Sequence, residues 1–339
     1  MNTYTSLSPS QEGSAAIIGN LAVNSQIRTS VGCTDGIIEG LVNLLLNGTE
    51  KGKSDAAAAL GNLAVNTEMR SSILEVPRVL YGLRCMLMEG SERHAGEAAC
   101  CLQNLAVTTI DHKLRIAATE DLLLGLVNLM LNCEPASQFQ EDACSALLNL
   151  IVGCSENKKA VVCVRGVMEA LCRCVQQGSV RAKEHAAAVV QNLTFNSHSN
   201  RMLVLVEAPE LLAALSALLV DVSPGTKKAC EYAASCMASI ARSREGAVAV
   251  VRAQGAVDSL ILLATPLAGN SMSARKASIS ALQTLTQTPE AAAHLIKSQV
   301  VERCLLPVLR QVAALQQDDT GFVSVLRVDA VIIFVCINV

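Results

Sequence analysis

The sequence predicts an all-α protein, a right-handed α-solenoid of about seven stacked helical repeats with the first incomplete, and three observations carry that expectation. One short signature recurs: Gly19-Asn20-Leu21-Ala22-Val23, Gly61-Asn62-Leu63-Ala64-Val65, Gln103-Asn104-Leu105-Ala106-Val107, Leu148-Asn149-Leu150-Ile151-Val152, Gln191-Asn192-Leu193-Thr194-Phe195, Ala238-Ser239-Ile240-Ala241 and Gln283-Thr284-Leu285-Thr286. Successive anchor residues (Asn20, Asn62, Asn104, Asn149, Asn192, Ser239, Thr284) lie 42, 42, 45, 43, 47 and 45 residues apart, the period of a helical repeat array. Around each anchor the apolar side chains keep fixed helical offsets.

The elements follow in order. Residues 1–13 are Ser/Thr-rich and read as a flexible lead-in without the basic start and apolar core of a signal peptide. A long helix over 14–23 opens the array with no preceding apolar helix to cover Ile17, Ile18 and Leu21, so this end is expected either to continue a longer chain or to be covered by a partner or by another copy. Residues 36–76 are the model unit. Ile37, Ile38, Leu41, Val42, Leu44, Leu45 and Leu46 form an apolar helix stopped by Asn47-Gly48. A second helix is expected from about Ser54 to Ala64, with Ser or Asp capping its free amides. A shorter one is expected from about Arg70 to Leu74, before Pro77 interrupts it.

In every long helix the residue after the anchor (Leu21, Leu63, Leu105, Leu150, Leu193, Ile240, Leu285) and the residue two before it (Ile18, Leu60, Leu102, Leu147, Val190, Met237, Leu282) read as core. Small pairs five and six before it, such as Ala56-Ala57 and Ala98-Ala99, let neighbouring helices approach closely. The repeats are expected to run over 14–317. Beyond them, 318–339 is an atypical apolar tail rich in β-branched residues, suited to a strand and interrupted by Arg327 and Asp329, so that no membrane span is predicted.

Composition narrows the function classes. The chain has 339 residues, is 51% hydrophobic and 17% charged, and has a mean hydropathy of +0.39, so most helices are expected to be buried on more than one side. A net charge of −3 with 2% aromatics and no Trp gives neither the attraction nor the stacking platforms that nucleic-acid binding needs. Fourteen Cys scatter through predicted helix interiors without a C-x-x-C pair, and the five His are isolated. They read as small buried hydrophobes in a reducing compartment, with no metal and no cofactor implied, in a protein expected in the cytoplasm or nucleus. No Gly-rich phosphate loop, nucleophile motif or paired acid–base constellation appears outside the repeat register, so no enzyme is expected.

The chain resembles the armadillo-repeat family. The resemblance rests on the Asn-Leu-Ala anchor late in the long helix and the Ala-Ala pair before it. It also rests on the turns Asn200-Arg201 and Glu156-Asn157-Lys158, and on Gly255-Ala256-Val257 opening a repeat. It covers about residues 14–315 and implies that one side of each long helix lines a concave groove. On that side, small residues four before the anchor would form the floor. Asp55, Glu97 and Asp142 seven before it, with Glu184 and Glu141 eight before, would make the groove mostly acidic.

A carboxamide both donates and accepts, so Asn20, Asn62, Asn104, Asn149 and Asn192 in register either grip the main chain of an extended, basic partner segment or bond to neighbouring repeats. Lys51, Arg93, Arg181 and Lys228, eleven before their anchors, either extend this charge pattern or form ordinary i,i+4 pairs. The importin-alpha subgroup places Trp four before many anchors, where every residue here is small, so the device that sandwiches lysine stems is missing. The reading is a non-enzymatic scaffold or adaptor for other proteins. The alternatives are a cytoskeletal or ciliary component using convex surfaces and repeat ends, the substrate-binding part of an armadillo ubiquitin ligase, and an importin-alpha-like adaptor.

Overall fold

The protein is seen in a computed structural model that describes residues 9–300 other than 222 and 266–270, together with 302, 303 and 306. The apolar tail at 318–339 and most of the lead-in lie outside the described residues. Among the described residues there are 20 helices and no strand. By packing the chain divides into two compact units, Met1–Ala170 and Leu171–Val339.

The first unit holds α1 (Pro9–Val23), α2 (Arg28–Gly32), α3 (Ile37–Asn47), α4 (Glu50–Leu63), α5 (Thr67–Glu75), α6 (Val79–Glu89), α7 (Glu92–Leu105), α8 (Ile110–Ala117), α9 (Leu122–Asn132), α10 (Gln138–Ile151) and α11 (Ser155–Val162). α12 (Val167–Gln177) crosses the boundary between the two residue ranges. The second unit holds α13 (Val180–Thr194), α14 (His198–Glu207), α15 (Leu211–Leu219), α16 (Lys227–Ile240), α17 (Arg244–Arg252), α18 (Ala256–Ala264), α19 (Met272–Thr286) and α20 (Pro289–Lys297). After α1 and α2, six triplets follow, each an apolar helix, a long anchor helix and a short helix.

In the first unit the long helices α1, α4, α7 and α10 pack side by side in that order, and α3, α6 and α9 form a second layer against them. The second unit repeats the plan with α13, α16 and α19, backed by α15 and α18. The close approach comes from the small pairs: Ala56, Ala57, Ala98, Ala99, Ala143, Cys144, Ala186, Ala187, Ala233 and Ala234 are all fully buried. Gly61 shows how tight it is, because a Cβ there would stand 3.2 Å from Cα of Cys101. The expected core positions of the later long helices are buried as well, from Leu60 and Leu63 to Leu282 and Leu285, each worth about 1.5–3 kcal/mol of transfer free energy, whereas in α1 Leu21 is exposed and Ile18 half-buried, since no apolar helix precedes α1 among the described residues.

Helix starts depart from expectation in a consistent way. α4 begins at Glu50, not near Ser54, because Gly48 is extended and Thr49 caps the helix, its Oγ1 accepting from the Gly52 amide at 3.2 Å. The same role falls thirteen residues before the anchor to Ser91, Ser179 and Ser271, and one residue nearer to Ser137. α5 is also longer than expected, opening at Thr67 under an Asn66 cap and closing at extended Val76, which precedes Pro77. α1 begins at Pro9, inside the stretch read as lead-in.

Five of the six apolar helices open on a left-handed residue, Gly36 (φ 80°), Arg78 (φ 67°), Asp121 (φ 55°), Gly166 (φ 80°) or Gly255 (φ 73°), while α15 opens on Glu210 in the right-handed region. Glycine adopts this backbone without strain.

Candidate groove on the long helices

In the first unit the anchors stand on neighbouring helices, and their carboxamides are already at work in the fold. Asn62 Nδ2 donates to Gly19 O (3.0 Å), Asn104 Nδ2 to Gly61 O (3.0 Å) and Asn149 Nδ2 to Gln103 O (2.9 Å). Each acceptor is the carbonyl just before the preceding repeat's anchor, so the Asn row laces consecutive long helices together. Among the described residues nothing donates to the Oδ1 atoms of these three half-buried side chains. Asn20 is exposed on α1. In the second unit Asn192 Nδ2 turns back to Ala188 O in its own helix (2.9 Å) and makes no such inter-repeat bond.

The carboxylates Asp55 on α4, Glu97 on α7 and Asp142 on α10 gather on the same side of the first unit. Burial is the main cause that raises the Glu97 carboxyl above the usual carboxylate value; Arg93 opposes it, while the negative charges of Asp142 and Asp55 add to it. Cys100, on the same helix, has its thiol pushed up to about 11 by burial and by Asp142 and Glu97. Asp55 is half-buried, and its Oδ2 is enclosed without a hydrogen-bond partner.

Asp142 departs from expectation. It is buried, not lining an open surface, because Gln103 Nε2 from α7 (2.9 Å) and Gln138 Nε2 from its own helix (2.8 Å) both donate to Oδ1. Glu141, expected one residue further out, is buried too. Glu184 lies in the second unit, half-buried, 4.0 Å from Lys228 Nζ of the next repeat.

The motif turns prove to be structural. Asn157 is buried and donates to Lys113 O and Leu150 O (both 3.0 Å), and Asn200 donates to Leu193 O (2.7 Å). His94, absent from the sequence reading, closes a capping box by accepting from the Ser91 amide, and its Nε2 lies 2.9 Å from Glu50 O of the preceding repeat. Its histidine at the third helical position after Ser91 was the available signal. Among the described residues no three His, Cys, Asp or Glu side chains converge as a metal ion would require. None of the described helices is by itself long and apolar enough to cross a membrane.

Comparison with known proteins places the fold. No protein-family model matches the chain, and no curated protein does. Among solved structures, an engineered protein superposes with a TM-score of 0.78 at 24% identity, covering 99% of this chain and 79% of its own. A computationally designed armadillo repeat protein for modular peptide recognition matches with a TM-score of 0.64 at 21% identity, over 73% of this chain and 99% of that one. A designed armadillo repeat protein in complex with the peptide (KR)4 matches with a TM-score of 0.58 at 21% identity, over 69% and 95%. The fold is therefore that of an armadillo-repeat array, as the anchors and small pairs imply.

Proposed function

We propose that this protein is a non-enzymatic scaffold that holds an extended, basic segment of another protein against the long helices of its first unit. The observation that carries the reading is the half-buried Glu97 with Asp142 and Asp55 on the flanking helices near enough to add to the rise that burial causes in its carboxyl, a strain that an approaching cation relieves. A segment crossing the helices can place cationic side chains near Asp55 and Glu97 in turn, while Asp142, already held by Gln103 and Gln138, adds its charge from beneath. The unbonded Oδ1 atoms of Asn62, Asn104 and Asn149 offer acceptors for that segment's main-chain amides. Since their Nδ2 groups hold the fold together, the Asn row serves architecture and recognition at once. The structural relative in complex with (KR)4 supports the chemistry of the segment.

The test is binding of a labelled Lys/Arg octapeptide to the full chain by fluorescence anisotropy. Affinity should fall with rising salt and drop about tenfold or more in Glu97→Lys, while a Glu/Asp octapeptide should not bind. Equal binding of both peptides, or indifference to Glu97→Lys, would remove the reading.

A second reading concerns α1, where Ile17 (61%) and Leu21 (43%) are exposed at positions that are core in later repeats. That face supports self-association. Sedimentation of wild type against Ile17→Ser/Leu21→Ser should show the variant with less oligomer, and identical profiles would reject it.

A further inference from the structure

Three residues beyond each of the five Asn anchors stands a large apolar side chain left open to solvent: Val23 (63%), Val65 (45%), Val107 (47%) and Val152 (47%) in the first unit and Phe195 (45%) in the second. The positions immediately before behave otherwise, with Ala22, Ala64 and Ala106 fully buried. Single exposed valines are ordinary, but the same exposure at one register position in repeat after repeat is not.

Cations tie these turns to one another. Arg70 donates from Nη2 to Val65 O (2.9 Å) and from Nη1 to Val107 O (2.5 Å), so one guanidinium bridges two successive turns. Lys113, from the short helix after Val107, donates to Val152 O (2.8 Å). In the second unit the guanidinium of Arg242, at the same register position one repeat later, lies 5.2 Å from the centre of the Phe195 ring. Residues three past consecutive anchors are therefore neighbours, and Val65, Val107 and Val152 form a strip.

That strip runs beside the carboxylates. The acidic residues precede the Asn anchors by seven positions inside the long helices, about 10 Å along the axis, and the valines follow by three, just past the helix ends, so they lie on opposite sides of the Asn row. The carboxylates lie within roughly 20° of the anchor's direction around the helix. An extended chain crossing the helices over the Asn row sends successive side chains to opposite sides. Long basic side chains suit the farther carboxylates and short aliphatic ones the nearer valines.

We propose that the partner segment alternates basic and aliphatic residues over about six positions, its basic side chains reaching toward Asp55 and Glu97 and its aliphatic ones packing on Val65, Val107 and Val152. The proposal rests on the groove reading above. Three long helices spaced about 8–10 Å apart span the length of roughly six extended residues at about 3.3 Å each.

The experiment compares three labelled peptides on the full chain by anisotropy: (KV)4, (KS)4 and the blocked KKKKVVVV. The proposal expects (KV)4 to bind about tenfold or more tightly than (KS)4 and than the blocked peptide. It also expects Val65→Ser/Val107→Ser/Val152→Ser to bring (KV)4 down to the affinity of (KS)4 without changing (KS)4. Val107→Ser alone, read the same way, serves if the triple variant melts early. If (KV)4 and (KS)4 bind alike and both weaken in Glu97→Lys, the strip is overturned and the groove reading stands. If the blocked peptide matches (KV)4, the alternation is overturned. If (KV)4 depends on the valines but no peptide responds to Glu97→Lys, the groove reading fails and the alternating segment fails with it.

Discussion

The Asn anchors show how one side chain serves two tasks. In Asn104 the Nδ2 group satisfies Gly61 O of the preceding repeat while Oδ1 stays unbonded, whereas in Asn192 the same group serves only its own helix. Asn104→Ala should therefore lower stability by about 1 kcal/mol or more, by leaving a carbonyl between packed helices without its donor. Asn192→Ala should cost clearly less. Urea denaturation of the two variants checks the difference, and equal losses would show that the inter-repeat bond contributes nothing.

Glu97 gives a pH dependence with a definite sign. Its carboxyl titrates above the usual carboxylate value because burial and the neighbouring carboxylates disfavour the charge. In the free protein its contribution to stability is complete below the ordinary carboxylate pKa and is lost as pH rises through the raised one. Binding of a basic peptide favours the ionised form, so affinity should weaken as pH falls through the raised value, and Glu97→Gln should remove that dependence. Titrating affinity between about pH 7 and about pH 4.5 decides it.

These residue-level facts were only partly legible beforehand. Asp142 occupies the same register as Asp55 and Glu97, but Gln103 lies 39 residues away from it in the chain, and nothing local announces that its amide would claim the carboxylate. The Val strip, in contrast, is written into the repeated signature itself. Its meaning emerged only with the exposures, since a helical period alone does not tell an outer apolar residue from a buried one.

At the scale of the element, the triplet of apolar, long and short helix is held by polar punctuation as much as by leucine. Thr49, Ser91, Ser137, Ser179 and Ser271 start the long helices, and glycine or a strained substitute in the left-handed region starts several of the apolar ones. Gly255→Val should cost about 1–2 kcal/mol from the left-handed backbone alone, measured as a lower midpoint in urea. A change within about 0.5 kcal/mol would mean that the turn rearranges freely. The core offsets of the long helix were readable because Leu repeats at the same distance from each anchor. The helix starts were misjudged by about four residues because Glu50-Lys51-Gly52-Lys53 is polar and contains a glycine, and only its Thr49 cap marks it as helical.

For the whole molecule, a net charge of −3 is too small to draw basic partners from a distance, so selectivity rests on where the charges stand. The architecture was legible from the 42 to 47 residue period, and structural relatives at 20 to 24% identity share it. The repeat period runs through residues 170 and 171, where the two compact units meet in the sequence, without a break in composition.

The central claim is direct contact between Glu97 and a basic side chain of an extended partner, and a charge swap tests it most directly. Affinities of the full chain and of Glu97→Lys are measured for a Lys/Arg octapeptide and for the same peptide with a central basic residue replaced by Glu. The account predicts that Glu97→Lys loses affinity for the first peptide and recovers it, at least in part, for the second. If the replaced peptide binds Glu97→Lys no better than it binds the wild-type chain, Glu97 does not meet the segment and the groove assignment is contradicted.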